Sequence, residues 1–303
     1  MILTNAVLHT LNQGFSAMFQ KAFAETKTKW QKIATEVPSN TSDENYGWLG
    51  QFPSLREWIG ERQIKNMTAS EYTIKNKDYE ATVAVKRNDI EDDKLGIYAP
   101  MMQDMGYSAA IWPEDLVFSL LKDGFTKTCY DKKPFFSTDH KVAKANVSNK
   151  GAAKLSAKAY GEARAAMMSF KNDEGKPLKI MPNVLEVPPA LEGEALKIVT
   201  ADQIEGTTNI YKGTAEVLVA PELAGKDTCW FLLDTNRPLK PFIFQKRKAP
   251  KLNVLNQEND QNVFMRNEYL YGIDARGNAG YGFWQMAYGS DGSAADSVTP
   301  PAE

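Results

Sequence analysis

The stretch YAPMMQDMGYSAAIWPEDLVFSLLKDG, which runs from Tyr98 to Gly124, decides the fold of this chain. Its apolar residues recur at steps of three and four, which is the spacing of one helix face: Met101, Met105, Ala109, Trp112, Leu116 and Leu120. Pro113 lies inside the pattern and removes a hydrogen bond to the carbonyl of Ala109, at a cost of roughly 3 kcal/mol. Because the stripe keeps its phase across Pro113, we predict one long, kinked helix that ends at Gly124, in preference to a fresh helix starting at the proline.

A second apolar stripe precedes this helix near the N-terminus. Large side chains recur there at spacings of three and four, which predicts a helix over about residues 5–25: Leu8, Leu11, Phe15, Met18, Phe19, Ala22 and Phe23. The pattern alone favours an ordinary helix on the chain's own core, and the alternative is an arm that packs on a neighbouring copy. The segment TEVPSNTSDENYG that follows is predicted to be a loop or linker.

The stretch YTIKNKDYEATVAV has the alternation of a β-hairpin. Its first predicted arm carries Tyr72, Ile74 and Lys75, its turn Asn76, Lys77 and Asp78, and its second arm Tyr79, Ala81, Val83 and Val85. Two interpretations stay open. One is a projecting two-stranded tongue, which would need a partner surface because an isolated hairpin is marginally stable in water. The other is a strand pair inside an ordinary mixed sheet.

The second half of the chain alternates between helical and strand-like patterns, as in α/β and α+β proteins. A helix is predicted over about residues 156–170, with Tyr160, Ala163, Met167 and Phe170 on one side. Four short and three long strands are predicted in the segments LKIMPNVLEVP, ALKIVTA, AEVLVAPEL and TCWFLLD, then PFIFQKR, NVFMRNEYLYGIDARG and GYGFWQMAYG. The closing GSDGSAADSVTPPAE cannot offset the entropy of ordering, so we predict a disordered tail.

The composition argues against several classes of site. The 36 basic and 38 acidic residues leave a formal net charge of −2, so no global field attracts nucleic acid or an anionic membrane. Two cysteines and two histidines, spread along the chain, argue against a disulfide framework and a metal site. The sequence has no phosphate-binding or dinucleotide motif, no secretion signal and no apolar run of membrane-spanning length. It therefore predicts a soluble, assembling protein without a cofactor.

One nucleophilic set is conceivable. Cys129 and His140, with Asp139 as the orienting group, would make the chain a thiol hydrolase if the three side chains met in space. Their closeness in sequence guarantees no such contact, so a structural role is the favoured interpretation.

One basic segment also has two interpretations. Residues 237–251 carry six basic side chains and no acidic one: Arg237, Lys240, Lys246, Arg247, Lys248 and Lys251. They could form a nucleic-acid patch, with Phe242 and Phe244 interleaved. We favour pairing with an acidic surface of a neighbour, since the chain also holds the cluster Glu91, Asp92 and Asp93.

Five stretches, taken in order, resemble the Mu-like phage major head protein family and, more broadly, the Hong Kong 97-like capsid fold of tailed phages. They are RNDIEDDKLGIYAP, GFTKTCYDKKPFFSTDH, NIYKGTAEVLVAPEL, WFLLDTNRPLKPFIFQKRKAP and YLYGIDARGNAGYGFWQMAYG. The resemblance implies an α+β fold with an arm, an extended loop, a spine helix, and peripheral and axial domains. The implied divisions are an arm at 1–45; a peripheral domain at 46–150 with the loop near 51–90 and the spine helix near 98–124; an axial domain at 151–236; peripheral return strands at 237–289; and a tail at 290–303.

The implied function is that of a major capsid protein, which builds the icosahedral head of a tailed phage around double-stranded DNA. The implied partners are copies of the chain in pentamers and hexamers, a separate scaffold protein, a portal, decoration proteins and DNA held by confinement, without a membrane. The implied location is the virion, after assembly in the host cytoplasm; an encapsulin-like compartment is the alternative. The implied intersubunit contacts are Leu8, Leu11, Phe15, Phe19, Phe23, Tyr72, Ile74, Lys75, Asn76, Lys77, Asp78, Tyr79 and Arg247.

Overall fold

A computed structural model describes residues 5–49, 71–92, 95–257 and 259–294 of the chain. The helices of these ranges are α1 (Asn5–Glu25), α2 (Arg87–Glu91), α3 (Tyr98–Asp123), α4 (Ala157–Met168), α5 (Glu192–Thr200) and α6 (Gln261–Arg266). The strands are β1 (Ala34–Pro38), β2 (Asp43–Asn45), β3 (Thr73–Lys75), β4 (Lys77–Lys86), β5 (His140–Val142), β6 (Ala145–Val147), β7 (Lys150–Gly151), β8 (Val184–Val187), β9 (Gln203–Ile204), β10 (Thr207–Thr208), β11 (Glu216–Val219), β12 (Trp230–Leu233), β13 (Phe242–Leu255), β14 (Glu268–Tyr281) and β15 (Ala287–Ser290). None of the described helices is long and apolar enough to cross a membrane.

The spine helix α3 runs without interruption across Pro113, which confirms the single long helix. Its buried face is turned slightly from the predicted stripe, since Met101 is 38% exposed and Met102 is fully buried. Pro113 lies on this buried face, so its ring adds apolar surface to the core. The helix ends at Gly124, whose backbone is right-handed rather than left-handed. Glycine fits there because a Cβ would lie only 2.8 Å from the Phe136 ring.

Two sheets organise the described residues. The first has the order β1-β13-β14-β4, in which β13 and β14 are long antiparallel strands and β1 lies parallel to β13. Helices α1 and α3 cover one face of it, where aromatic residues of β14 such as Tyr269 and Tyr271 are buried. The second sheet has the order β11-β8-β12-β15-β7. Every residue of β8 and β12 is buried, which is typical of strands that are covered on both faces.

The predicted hairpin is wrong. Strand β3 pairs with β2, whereas β4 pairs with β14 as the edge of the first sheet. The turn residue Asn76 separates the strands, and its side-chain amide donates to Ser39 Oγ at 2.8 Å and to the Thr41 carbonyl at 2.9 Å. These partners lie in the segment predicted as a linker, which instead contributes β1 and β2. Strands β3 and β4 therefore pair with strands that are distant in sequence and not with each other. A local sequence pattern cannot predict such pairing. The rest of the implied extended loop, residues 51–70, lies outside the described residues.

Helix α4 confirms the helix predicted at about 156–170, and its first turn is capped by the Ser156 hydroxyl, which accepts from the Ala159 amide at 3.1 Å. Two strand predictions are wrong. ALKIVTA lies in α5, whose apolar residues face the core at helical spacing, and NVFMR lies in α6. Short apolar runs fit a strand or a helix equally well, so the pattern could not separate the two.

Two implied domain limits also need correction. Residues 34–38, assigned to the arm, form β1 in the first sheet. Residues 287–289, assigned to the peripheral return strands, form β15 of the second sheet together with Ser290, which was assigned to the tail. The segment GYGFWQMAYG is thus not one strand, because β14 ends at Tyr281 and a 3-10 turn precedes β15. The tail does not begin at Ser290, which is fully buried, and Ala294 still donates its amide to the Ala152 carbonyl at 2.7 Å. Residues 295–303 lie outside the described residues.

Candidate functional site

The apolar stripe of α1 is covered by the chain itself. Phe15 and Phe19 are buried against α3 and the first sheet, and the Phe15 ring meets Tyr271 edge-on at 5.2 Å between centroids. The prediction that these two residues face a neighbouring copy is therefore wrong, and the ordinary core helix is the interpretation that holds. Leu8, Leu11 and Phe23 are only partly buried at the margin of the same cluster.

The predicted loop contacts also bind their own chain. The Tyr72 hydroxyl accepts from the Tyr281 amide at 2.7 Å, and Ile74 is buried in a small cluster with Tyr46 and Ile243. The Tyr79 ring lies 5.1 Å from that of Trp112 on the spine helix. Ile74 is thus unavailable to a neighbour in this conformation because it is buried, and the Asn76 amide already makes three hydrogen bonds within its own chain.

The remaining loop residues are more open. Lys75, Lys77 and Asp78 are exposed, although the Asp78 carboxylate lies 3.4 Å from Arg276 Nε. Arg247 donates to the Ser39 carbonyl at 3.3 Å. These residues keep part of their surface for another partner.

Cys129 and His140 are joined by a shared partner, Asp131, and not by Asp139. The His140 ring Nδ1 donates to Asp131 Oδ2 at 2.6 Å, and the Cys129 thiol donates to Asp131 Oδ1 at 3.2 Å. Asp139 instead pairs with Lys133 at 2.6 Å. Asp139 is therefore not the orienting group, in line with the expectation that closeness in sequence guarantees no contact. Asp131 carried no signal in the sequence beyond being a carboxylate in the same segment.

This order of groups does not activate the thiol. A thiol hydrolase needs the imidazole in contact with the sulfur, whereas here a carboxylate stands between them. Burial, followed by the charge of Asp131, raises the pKa of the Cys129 thiol, so the reactive thiolate is disfavoured. Burial is the largest influence on the Asp131 carboxyl and acts to raise its pKa. The hydrogen bonds from His140, the Lys133 amide and the Cys129 thiol, together with the electrostatic effect of His140, outweigh burial and lower the pKa.

His140 is held on every side. Its Nε2 faces the Phe135 carbonyl at 3.2 Å and Asn149 Oδ1 at 3.1 Å, so both ring nitrogens are engaged. The Asn149 amide is fixed in turn by donating to three backbone carbonyls. The ring also stacks on Trp284 with 4.0 Å between centroids. Such a fully engaged, fully buried imidazole fits a structural clamp between the segment after α3 and the start of β15.

Cys129, Asp131 and His140 are also the group among the described residues whose donor atoms could surround a metal ion. Each donor already has a hydrogen-bond partner within the group. A metal would have to displace both shared protons, and no fourth cysteine, histidine or carboxylate of the described chain completes the set. The geometry supports the hydrogen-bonded cluster.

The basic segment pairs within its own chain. Lys246 forms an ion pair with Glu36 of β1, and Lys248 forms one with Asp274 of β14. Arg237 donates to the Leu178 carbonyl and Lys240 to the Gln31 carbonyl. The predicted pairing with a neighbour is thus replaced, at these positions, by partners in the same subunit.

Three exposed apolar side chains lie at the end of β13 and on α6, and α6 is a segment that the sequence predicted as a strand. Phe264 is 83% exposed and Met265 69% exposed on α6, and Leu255 at the end of β13 is 51% exposed. We call these three residues the tip surface. Leu255 and Met265 line one hollow of about 570 Å³ together with Asp260 and Arg266. The signal in the sequence was the run Val263, Phe264 and Met265, because a short helix can turn only part of such a run inward, and here Val263 is the buried one.

Comparisons with known proteins agree along the chain. The family model described as Mu-like prophage major head subunit gpT matches residues 8–154, 148–223 and 220–298. The major capsid protein of Escherichia phage Mu is 38% identical over 287 residues, which cover 95% of this chain and 74% of that protein. The Mu-like prophage FluMu major head subunit of Haemophilus influenzae is 33% identical, over 96% of this chain and 75% of that protein.

A solved structure shares the fold. The procapsid of bacteriophage JBD30 matches with a TM-score of 0.62 and 36% identity, over 95% of this chain and 76% of that chain. The arm, spine helix and two sheets are thus elements of a phage capsid fold of the α+β class. The chain belongs to the Mu-like prophage major head subunit family, and it is a major capsid protein, a structural component of the virion of a Mu-like tailed phage.

Proposed function

We propose that copies of this chain form the pentamers and hexamers of an icosahedral head, and that the tip surface is one of the contacts between copies. The exposure of Phe264 and Met265 is the observation that carries the proposal. Apolar side chains clustered on the surface of a soluble protein mark interaction sites, and the partner of a shell subunit is another copy of itself. Burying three such side chains would contribute on the order of 5 kcal/mol before ordering costs.

The partly exposed residues of the arm and loop are proposed as secondary contacts. Leu8, Leu11 and Phe23 border the cluster under α1, and Lys75, Lys77 and Asp78 lie at the exposed edge near the start of β4. A closed shell needs many modest contacts rather than a single strong one, so that misplaced subunits can dissociate. Residues Phe15, Phe19 and Ile74 are left out because they stabilise the subunit itself.

The proposed cargo is double-stranded DNA, held by confinement more than by affinity. The net charge of −2 supports this, as do the ion pairs of Lys246 and Lys248 within the chain. A separate scaffold protein, a portal and decoration proteins are the further partners that the family suggests, with assembly in the host cytoplasm. We propose no catalytic role, since the Cys129 thiol contacts no imidazole and burial raises its pKa.

The test is to express the full chain with and without a scaffold protein and to examine the products by electron microscopy. We expect closed shells of uniform size when the scaffold is present. A chain that stays monomeric under both conditions would contradict the proposal. Shells that enclose a co-expressed enzyme but cannot package DNA through a portal would instead favour an encapsulin-like compartment.

A further inference from the structure

Glu186 lies in the second sheet without any polar partner. Its strand β8 is flanked by β11 and β12, and Glu186 stands opposite Leu218 on one and Phe231 on the other. The side chain has no exposed surface, and neither carboxylate oxygen has a hydrogen-bond partner. A charged carboxylate in such a place is very costly, so the group takes up a proton or binds a cation instead.

The groups that face Glu186 give it no positive charge. From the 3-10 turn Pro221–Leu223, Glu222 acts on it as a second negative group, and Glu222 Oε2 is itself buried without a partner. Helix α5 also packs on β8, and it buries only apolar residues, Ala195, Ile198 and Val199. The site is therefore acidic and otherwise apolar.

The turn that carries Glu222 packs against the spine helix. There Glu114 and Asp115 add further negative charge near Glu222, and Lys29 is the cation that acts on it. Glu114 is already engaged, since it accepts from the backbone amides of Lys29 and Trp30. Glu222 thus lies at the contact between this turn and α3, and its charge acts on Glu186 in the adjoining sheet.

A proton fits this environment better than a metal ion. Divalent cations such as Ca²⁺ and Mg²⁺ take six or more oxygen ligands. Among the described residues, no set of three metal-ligating side chains includes Glu186 or Glu222. A single proton neutralises Glu186 without any further ligand.

We propose that Glu186 is a proton-binding site, held as a neutral acid in the folded subunit at neutral pH, and that its ionisation destabilises the second sheet. Burial, and then the charge of Glu222, raises the pKa of Glu186 well above its usual range. Burial likewise raises the pKa of Glu222. The site is independent of the tip surface and of shell assembly.

The sign of the pH effect follows from these directions. The unfolded chain releases the proton near the ordinary pKa of 4.5, whereas the folded chain keeps it to a higher pH. The stabilisation is therefore fully present below pH 4.5 and is lost as pH rises through the folded pKa. Over that range the unfolding equilibrium constant should increase by up to about tenfold per pH unit.

The experiment compares the full chain with Glu186→Gln, and uses Glu222→Gln as the matched control of the same chemistry. Urea unfolding is measured from about pH 5 to about pH 9. We expect the wild-type unfolding constant to rise with pH relative to that of Glu186→Gln, and Glu222→Gln to retain a pH-dependent rise. Parallel curves for the wild type and Glu186→Gln would overturn the proposal.

Infrared spectroscopy gives a second readout. The wild type minus Glu186→Gln difference should contain the carbonyl band of a protonated carboxyl at neutral pH. If Glu186→Gln does not fold, the same band is sought in Glu222→Gln, where its presence at neutral pH supports the proposal and its absence overturns it. A stoichiometric divalent cation in the purified chain, removed by a chelator together with a loss of stability, would also overturn it.

Discussion

Gly106 of the spine helix lies so close to Phe19 of α1 that a Cβ at position 106 would overlap the Phe19 backbone carbonyl oxygen. Backbone cannot give way as the end of a flexible side chain can, so α1 would have to move. We expect Gly106→Ala to destabilise the subunit by about 1–3 kcal/mol in urea unfolding. The control is Gly14→Ala on α1, where a Cβ meets no atom within 4 Å. It should stabilise the helix by roughly 0.5–1 kcal/mol, and equal effects at the two positions would contradict the close packing of α1 on α3.

Phe19 should behave as a core residue and Leu8 as a marginal one. Phe19 is fully buried against the subunit, so Phe19→Ala should cost about 3–5 kcal/mol of unfolding free energy in the unassembled chain. Leu8→Ala should cost less, because Leu8 is only partly buried. Should Phe19→Ala instead fold with unchanged stability and fail only in shell assembly, α1 would be an arm on a neighbour after all.

Asp131→Asn should weaken the clamp around His140 and change its response to acid. Because the folded pKa of Asp131 lies below the ordinary 3.8, its contribution is present above pH 3.8 and is lost as pH falls through the folded pKa. Breaking the largely buried Asp131–His140 pair should lower the unfolding free energy by roughly 3–5 kcal/mol at neutral pH. The difference between Asp131→Asn and the wild type should be smaller at acid pH. Thermal unfolding against pH measures both. Asp139→Asn, which changes an exposed carboxylate, is the control, and a loss as large as that of Asp131→Asn would argue against the clamp.

Cys129 should be inert in the folded subunit. Burial raises the pKa of its thiol, and the thiolate is the reactive form. In a Cys229→Ser background, labelling with a thiol reagent at about pH 8 should be at least on the order of a hundredfold slower in buffer than in urea. Equally fast labelling in both conditions would mean that Cys129 is a reactive thiol, although Asp131 separates it from His140.

Replacing the tip surface by polar residues should block assembly and spare folding. Phe264→Ser combined with Met265→Ser removes the two most exposed side chains of α6, so the unfolding free energy should change by less than about 0.5 kcal/mol. Shell yield, measured by sedimentation and electron microscopy, should fall strongly. Met181→Ser, a change at a residue 52% exposed elsewhere on the chain, should leave the yield unchanged. Normal shells from the double variant would exclude the tip surface as a contact.

The long elements of this fold could be predicted from spacing alone. The spine helix, α1 and α4 each repeat apolar residues over several turns, and such a signal is hard to mistake. The short apolar runs of α5 and α6 carry no such repeat, so both were predicted as strands. Strand pairing was the harder part, because β3 and β4 lie next to each other in sequence and pair with strands from opposite ends of the chain.

The sites were less predictable than the fold. The sequence considered contact between Cys129 and His140 only as a disfavoured alternative, and the residue that joins them is Asp131, which only the path of the loop after α3 brings into place. Glu186 gave no sign at all, since one glutamate within an apolar run resembles any exposed strand position until the second sheet is seen to cover it. Burial is a property of the whole fold, so a local pattern cannot report it.

Strand β1 emerges from the ribosome long before the strand beside which it lies, because its partner β13 begins at Phe242. At ordinary rates of translation, the interval between Pro38 and Leu255 lasts roughly 10 to 40 s. Throughout that time the apolar face of α1 and the open edge of β1 have no sheet to join. Other nascent chains on the same messenger RNA are incomplete in the same way. The first sheet therefore cannot be completed until the last fifth of the chain, which carries β13 and β14, has been made. We therefore expect the first sheet, and with it the folded subunit, to form only once synthesis of the chain is nearly complete.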